Sequence, residues 1–206
     1  MIWFTADTHF GHSGILIHQL ERMNAFKCIE NMDAEIIAQF NSVLHPNDEL
    51  FHLGDFAWQA SRAGHYRQRL NVRKLHIVRG NHDSSSLSKH CSTFNDMLCR
   101  KFRCEGFEHP IKIHMLHYPM LSWDGLHHGG IHLYGHSHGR YEDELDKIFP
   151  GRRSMDVGVD NIFRRFGMWR PISLDEVIEL LGPSHEDDRV PGPFEGDYEK
   201  DSINKR

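Results

Sequence analysis

Eight residues have the types and spacing to do chemistry together: Asp7, His9, Asp55, Asn81, His82, His117, His136 and His138. Each lies just past a short apolar run that reads as a strand. Asp7 and His9 follow residues 1–6, and Asp55 follows Gly54 after residues 49–53. Asn81, His82 and Asp83 follow Gly80 after residues 75–78. His117 closes residues 111–116, and His136-Ser137-His138 follows Gly135 after residues 131–134. Residues i and i+2 of an extended chain share a face, so Asp7 leaves its strand with His9, and His136 with His138. One such end is ordinary turn chemistry. Five of them point to one site at the carboxyl ends of strands, where open α/β sheets bind ligands.

With His82 set aside, the donors are two carboxylates, one amide and four imidazoles. That exceeds what one tetrahedral ion needs and suits two ions sharing a carboxylate. Mixed nitrogen and oxygen ligation without thiolate favours divalent manganese, iron, zinc or nickel, with manganese expected first. Two such ions about 3.5–4 Å apart clamp the oxygens of an in-line displacement and acidify the water between them.

The elements that must position these residues follow from periodicity. Residues 13–30 read as an irregular or short helical insertion. Asn31 is placed as the N-cap of a helix to about residue 44, with Met32, Ile36, Ile37 and Phe40 on its buried face. A second helix is expected over residues 60–70, and a loop with a short helix over 84–95. Residues 97–102 and 111–116 read as antiparallel strands, residues 154–159 as a further strand, and residues 160–171 as irregular. Ser173 and Glu176 have capping-box spacing and open a last helix to about residue 181. From residue 182 to 206 the composition turns polar and proline-rich, which reads as a disordered tail beyond a single domain of residues 1–181.

The 206 residues carry 24 basic and 29 acidic side chains, a net charge of −5. The whole chain therefore exerts no pull on nucleic acid or anionic membrane, although a local metal charge can still bind a phosphate. No run approaches the roughly 20 apolar residues of a membrane span. The first strand begins at once, leaving no room for a signal peptide, and the four cysteines lack metal spacing. Both features read as a cytoplasmic protein with free thiols. Most of the 18 histidines must be bystanders.

Asp7-Thr8-His9, Gly54-Asp55, Gly80-Asn81-His82-Asp83, His117 and Gly135-His136-Ser137-His138, in that order, resemble the signature blocks of the calcineurin-like metallophosphoesterase superfamily. The resemblance implies a four-layer αββα sandwich of two mixed β-sheets with metals at the strand ends. It implies that Asp7, His9 and His138 hold one metal, that Asn81, His117 and His136 hold the other, and that Asp55 bridges them. His82 would be the catalytic acid that protonates the leaving alkoxide, and Asn81 and His12 would meet the substrate phosphate. His12 could equally support a ligand or lie at the surface. Phe56-Ala57-Trp58 departs from the Asp-Arg-Gly continuation of the phosphoprotein phosphatase branch, which leaves the group that orients His82 unassigned. The Phe10-Gly11-His12 extension is similar to a subgroup of small bacterial and phage-type members. Trp123, His127 and His128 either line the substrate mouth, with Trp123 stacking a base, or form an ordinary loop. The implied activity is hydrolysis of small phosphodiesters, nucleotides or nucleic-acid ends. Phosphomonoester hydrolysis is the alternative, and a non-enzymatic scaffold the third reading.

Overall fold

The computed structural model of the chain describes residues 1–182. The expected tail therefore lies, from residue 183 onward, outside the described residues. Nine strands run in chain order: β1 (Ile2–Thr5), β2 (Glu49–His52), β3 (Lys74–Val78), β4 (Thr93–Asn95), β5 (Met97–Phe102), β6 (Ile111–Leu116), β7 (Ile131–Tyr134), β8 (Ser154–Asp156) and β9 (Ile172–Ser173). They form two mixed sheets, ordered β4-β3-β2-β1-β9 and β5-β6-β7-β8. In the first, β1 to β4 are parallel and β9 is antiparallel to β1. In the second, β5 and β6 are antiparallel while β6, β7 and β8 are parallel. The protein is thus a mixed α/β fold.

Both faces of the first sheet are covered, so the middles of its strands are apolar while buried polar residues such as Thr5, His52 and His76 also sit on them. On one face Trp3, Leu50, Leu75 and Ile77 join a cluster with α2 (Leu20–Phe26), α3 (Ile29–Val43) and α4 (Ala63–Arg69), which follow the short α1 (Ile15–His18). On the other face Phe4, Phe51 and Val78 share a second cluster with Ile113, Met115, Ile131 and Leu133 of the opposing sheet. On the far side of β7, His132 stacks with Tyr134 and meets Trp123, which packs with Leu126 and Phe149. Three helices lie among the last of the described residues, α5 (Glu142–Ile148), α6 (Val159–Phe166) and α7 (Leu174–Leu181), interleaved with β8 and β9.

The last helix carries the expected capping box, with Ser173 and Glu176 each bonding the other's backbone. Other expectations need correction. The third helix starts at Ile29, not after Asn31, and the Asn31 amide donates back to the Phe26 carbonyl instead of capping. Residues 160–171 are not irregular throughout, because α6 fills the first half. Half of its buried residues are polar, Asp160 and Asn161 lying beside Val159 and Ile162, so apolar periodicity is broken on the side that periodicity reads. Among the described residues no helix is long and apolar enough to cross a membrane.

Candidate metal centre

The parallel strands β1, β2, β3, β6 and β7 all deliver their polar residues at the carboxyl end, to one place. The backbone bends sharply to aim them. Among the described residues, six non-glycine residues have positive φ, and five of them are Asp7, His9, Asp55, His136 and His138. Left-handed backbone costs roughly 1–3 kcal/mol per residue and persists only where the surroundings hold it. Glycines give these turns room. A Cβ on Gly80 would lie 2.2 Å from Asp55 Oδ1, and one on Gly54 2.5 Å from His117 Nδ1.

The side chains converge as two groups. Asp7, His9 and His138 form one, and Asp55, His117 and His136 the other, each with its donor atoms within 4.8 Å of one another. Asn81 completes the second, its Oδ1 lying 3.1 Å from His117 Nε2 and 3.0 Å from His136 Nδ1. Asp55 joins the groups, because its Oδ2 lies 3.6 Å from His9 Nε2 and 3.5 Å from His117 Nε2. Every residue expected at the metals is therefore in one of two adjoining clusters. The first is largely buried, while His136 and Asn81 open the second to solvent.

Two observations favour a cation here. Asp7 Oδ1 and His9 Nε2 are buried without any hydrogen-bond partner, a costly state that a metal would relieve. Burial also pushes the Asp7 carboxyl up to about 7, against the pull of His138 and His117. His9 is held well below its ordinary value by burial and then by Arg22. Burial works against ionised Asp55 too, but His117 and His9 outweigh it and keep this carboxyl well below the usual range. For His117 burial is outweighed by Asp55 and Asp7, which raise it to about 9. Protons thus occupy positions suited to cations, and the mixed nitrogen and oxygen donors match borderline divalent ions.

The outer partners fix which ring nitrogen faces inward. His117 Nδ1 donates to the Leu53 carbonyl at 2.7 Å, which leaves Nε2 for the cluster. His138 Nδ1 lies 2.6 Å from Asp160 Oδ2, and Asp160 in turn receives a fork from Arg22 at 2.7 and 2.6 Å. Arg22 also donates to the carbonyls of Asp7 and Thr8. Arg22 and Asp160 are wholly buried. The sequence reading missed both, because Arg22 and Asp160 stand among other polar side chains of α2 and α6 and nothing in the local pattern marks them out. Asp156, also wholly buried, accepts from Ser137 Oγ and the Gly139 amide and so holds the loop that carries His136 and His138.

His82 is exposed, with its amide on Asp55 Oδ1 at 2.9 Å and its ring 5.0 Å from Trp58 and 5.5 Å from His9. Asp83, unassigned in sequence, accepts the amides of Asp55, Phe56 and Gly80 and locks the two loops together. His12 stacks flat on Trp58 at 3.8 Å, and its Nδ1 lies 3.2 Å from His9 Nδ1. His12 thus stands against the ring nitrogen of His9 that faces away from Asp55. Trp123 does not line the mouth. It is buried, with its Nε1 on the Gly130 carbonyl. The exposed aromatics near the clusters are Trp58 and Tyr118.

No family model matches the chain. An uncharacterised protein of Methanocaldococcus jannaschii is 29% identical over 182 residues, covering 87% of this chain and 90% of its own. The gene 66 protein of Mycobacterium phage L5 is 23% identical over 226 residues, covering 91% of this chain and 97% of its own. The solved structure of a protein of unknown function from Aquifex aeolicus superposes with a TM-score of 0.65 at 23% identity, over 87% of this chain and 98% of that one. The fold is therefore shared with a solved protein across nearly its whole length.

Proposed function

We propose that this protein is a dinuclear metal-dependent phosphoesterase of the calcineurin-like kind, built on that family's four-layer sandwich and acting on phosphodiesters. The observation that carries the reading is Asp55. One of its oxygens stands between the two donor groups, and the other accepts the amide of an exposed histidine. Asp7, His9 and His138 would hold one divalent ion, and Asn81, His117 and His136 the other, with Asp55 shared between them. Bound ions would supply Lewis acidity and a hydroxide nucleophile at neutral pH.

The chain's own residues do the rest. The Asp55 carboxylate and the His82 amide fix where the His82 ring stands relative to the clusters. From there His82 is placed to hand a proton to the departing alkoxide. Trp58 packs against that ring and limits its swing. The open side formed by Asn81 and His136 admits the phosphate.

With added Mn²⁺ the protein is expected to hydrolyse bis(p-nitrophenyl) phosphate faster than p-nitrophenyl phosphate, and chelator should abolish the reaction. On a diester whose leaving group is an alkoxide, His82→Ala should lose on the order of 10²–10⁴ in turnover while keeping its metal, with a much smaller loss on p-nitrophenyl esters, whose phenolate departs without a proton. Inertness toward all phosphate esters with both ions verified as bound would contradict the reading.

A further inference from the structure

Beside the second donor group lies a cleft of about 400 Å³, lined by Arg79, Asn81, Asp96, Leu116 and Tyr118 among others. That size is typical of small-molecule sites, roughly 300–1,000 Å³. Tyr118 is 43% exposed, and its ring stands edge-on to His136 at 4.7 Å and to His117 at 5.0 Å. With this much of the residue exposed and its side lining the cleft, Tyr118 has surface free to stack a base. Across the cleft, Arg79 Nη2 and Asp96 Oδ1 pair at 2.6 Å, both largely exposed. They offer donors and an acceptor to the edge of a planar heterocycle. Asn81 belongs to both the cleft and the donor group, so a phosphate at that group has its substituent at the cleft mouth.

The side of the ester this cleft serves is also legible. The ring neighbours of His82 are His9, His12 and Trp58, and none of them lines the cleft. Asn81 and Asp83, on either side of His82 in the chain, do line the cleft, but the His82 ring itself packs among His9, His12 and Trp58. A group in the cleft is therefore not packed against that ring. We infer that the cleft binds the base of a nucleoside retained on phosphorus, stacked on Tyr118, so that the preferred substrates are nucleotide diesters from which the other ester group departs. This inference rests on the phosphoesterase reading for the reaction, while the binding itself can be tested apart from it.

The test compares thymidine 5′-(p-nitrophenyl) phosphate with methyl p-nitrophenyl phosphate, which release the same p-nitrophenolate, using full-length Mn²⁺-loaded protein. The nucleoside ester should be favoured in kcat/KM by on the order of tenfold, the size of one base–aromatic stack. That ratio should collapse toward one in Tyr118→Ala and in Leu116→Trp, which fills the cleft, and should persist in Trp58→Ala. In parallel, equilibrium dialysis should show thymidine 5′-monophosphate binding more tightly than methyl phosphate, with the difference lost in Tyr118→Ala. Equal rates and equal affinities for the two ligand types would overturn the inference, as would a preference that survives Tyr118→Ala or vanishes in Trp58→Ala. If neither ester is cleaved yet the monophosphate preference depends on Tyr118, the cleft assignment stands and the esterase reading fails.

Discussion

His138 is held from behind by a carboxylate that never meets solvent, and Arg22 ionises that carboxylate by forking onto it. Arg22 and His138 outweigh the burial that would otherwise favour protonated Asp160, keeping it well below the usual range, and Asp160 in turn raises His138. The arrangement fixes the ring and strengthens its inward nitrogen as a donor. Asp160→Asn should therefore weaken metal binding at the first group by about 10–100-fold, measured by calorimetric titration. Unchanged affinity would remove Asp160 from that role. The protonation pattern carries its own prediction. His117, raised to about 9, is protonated at pH 7 and must lose its proton to bind a cation, and Asp7, raised to about 7, is only partly ionised there. Metal uptake at pH 7 should release protons, and apparent affinity should climb with pH until about 9. Titrations in buffers of different ionisation enthalpy read that release directly, and uptake without protons at pH 7 would refute it.

At the scale of elements, the strand ends meet so closely that glycine is obligatory where they cross. An alanine Cβ at Gly80 would fall 2.2 Å from Asp55 Oδ1 and 2.4 Å from the Asp55 amide nitrogen. Gly80→Ala should cost about 1–3 kcal/mol in urea unfolding and also lower metal stoichiometry, because the residue displaced is the shared carboxylate. Seven of the strands were legible as short, mostly apolar runs, whereas β4 falls in residues read as a loop with a short helix, β9 was not foreseen, and β8 stops at Asp156, short of the expected residue 159. The outer partners were not legible. Asp160 sits on a helix whose buried face mixes polar and apolar residues, Arg22 reaches its partner across 138 positions, and Trp58 declares itself only through the flat stack with His12. Pairings of that kind are set by tertiary placement, which local pattern does not encode. Trp123 shows the converse, an aromatic in a polar loop that turned inward to cover the far face of β7.

At the scale of the molecule, neither sheet holds a complete site. The first donor group takes Asp7 and His9 from the first sheet and His138 from the second. The other takes Asp55 and Asn81 from the first and His117 and His136 from the second. The sheets join at that end through the bridge between Ala6 and Gly158 and the bond from the Val159 amide to the Ala6 carbonyl. The centre thus forms only when the two halves dock, and cation binding should be coupled to that docking. The most direct test of the shared-carboxylate centre is electron paramagnetic resonance of the protein loaded with two equivalents of Mn²⁺. A spin-coupled pair is expected, with the coupling lost in Asp55→Ala. Isolated mononuclear Mn²⁺, or binding that saturates at one ion per chain, would contradict the account.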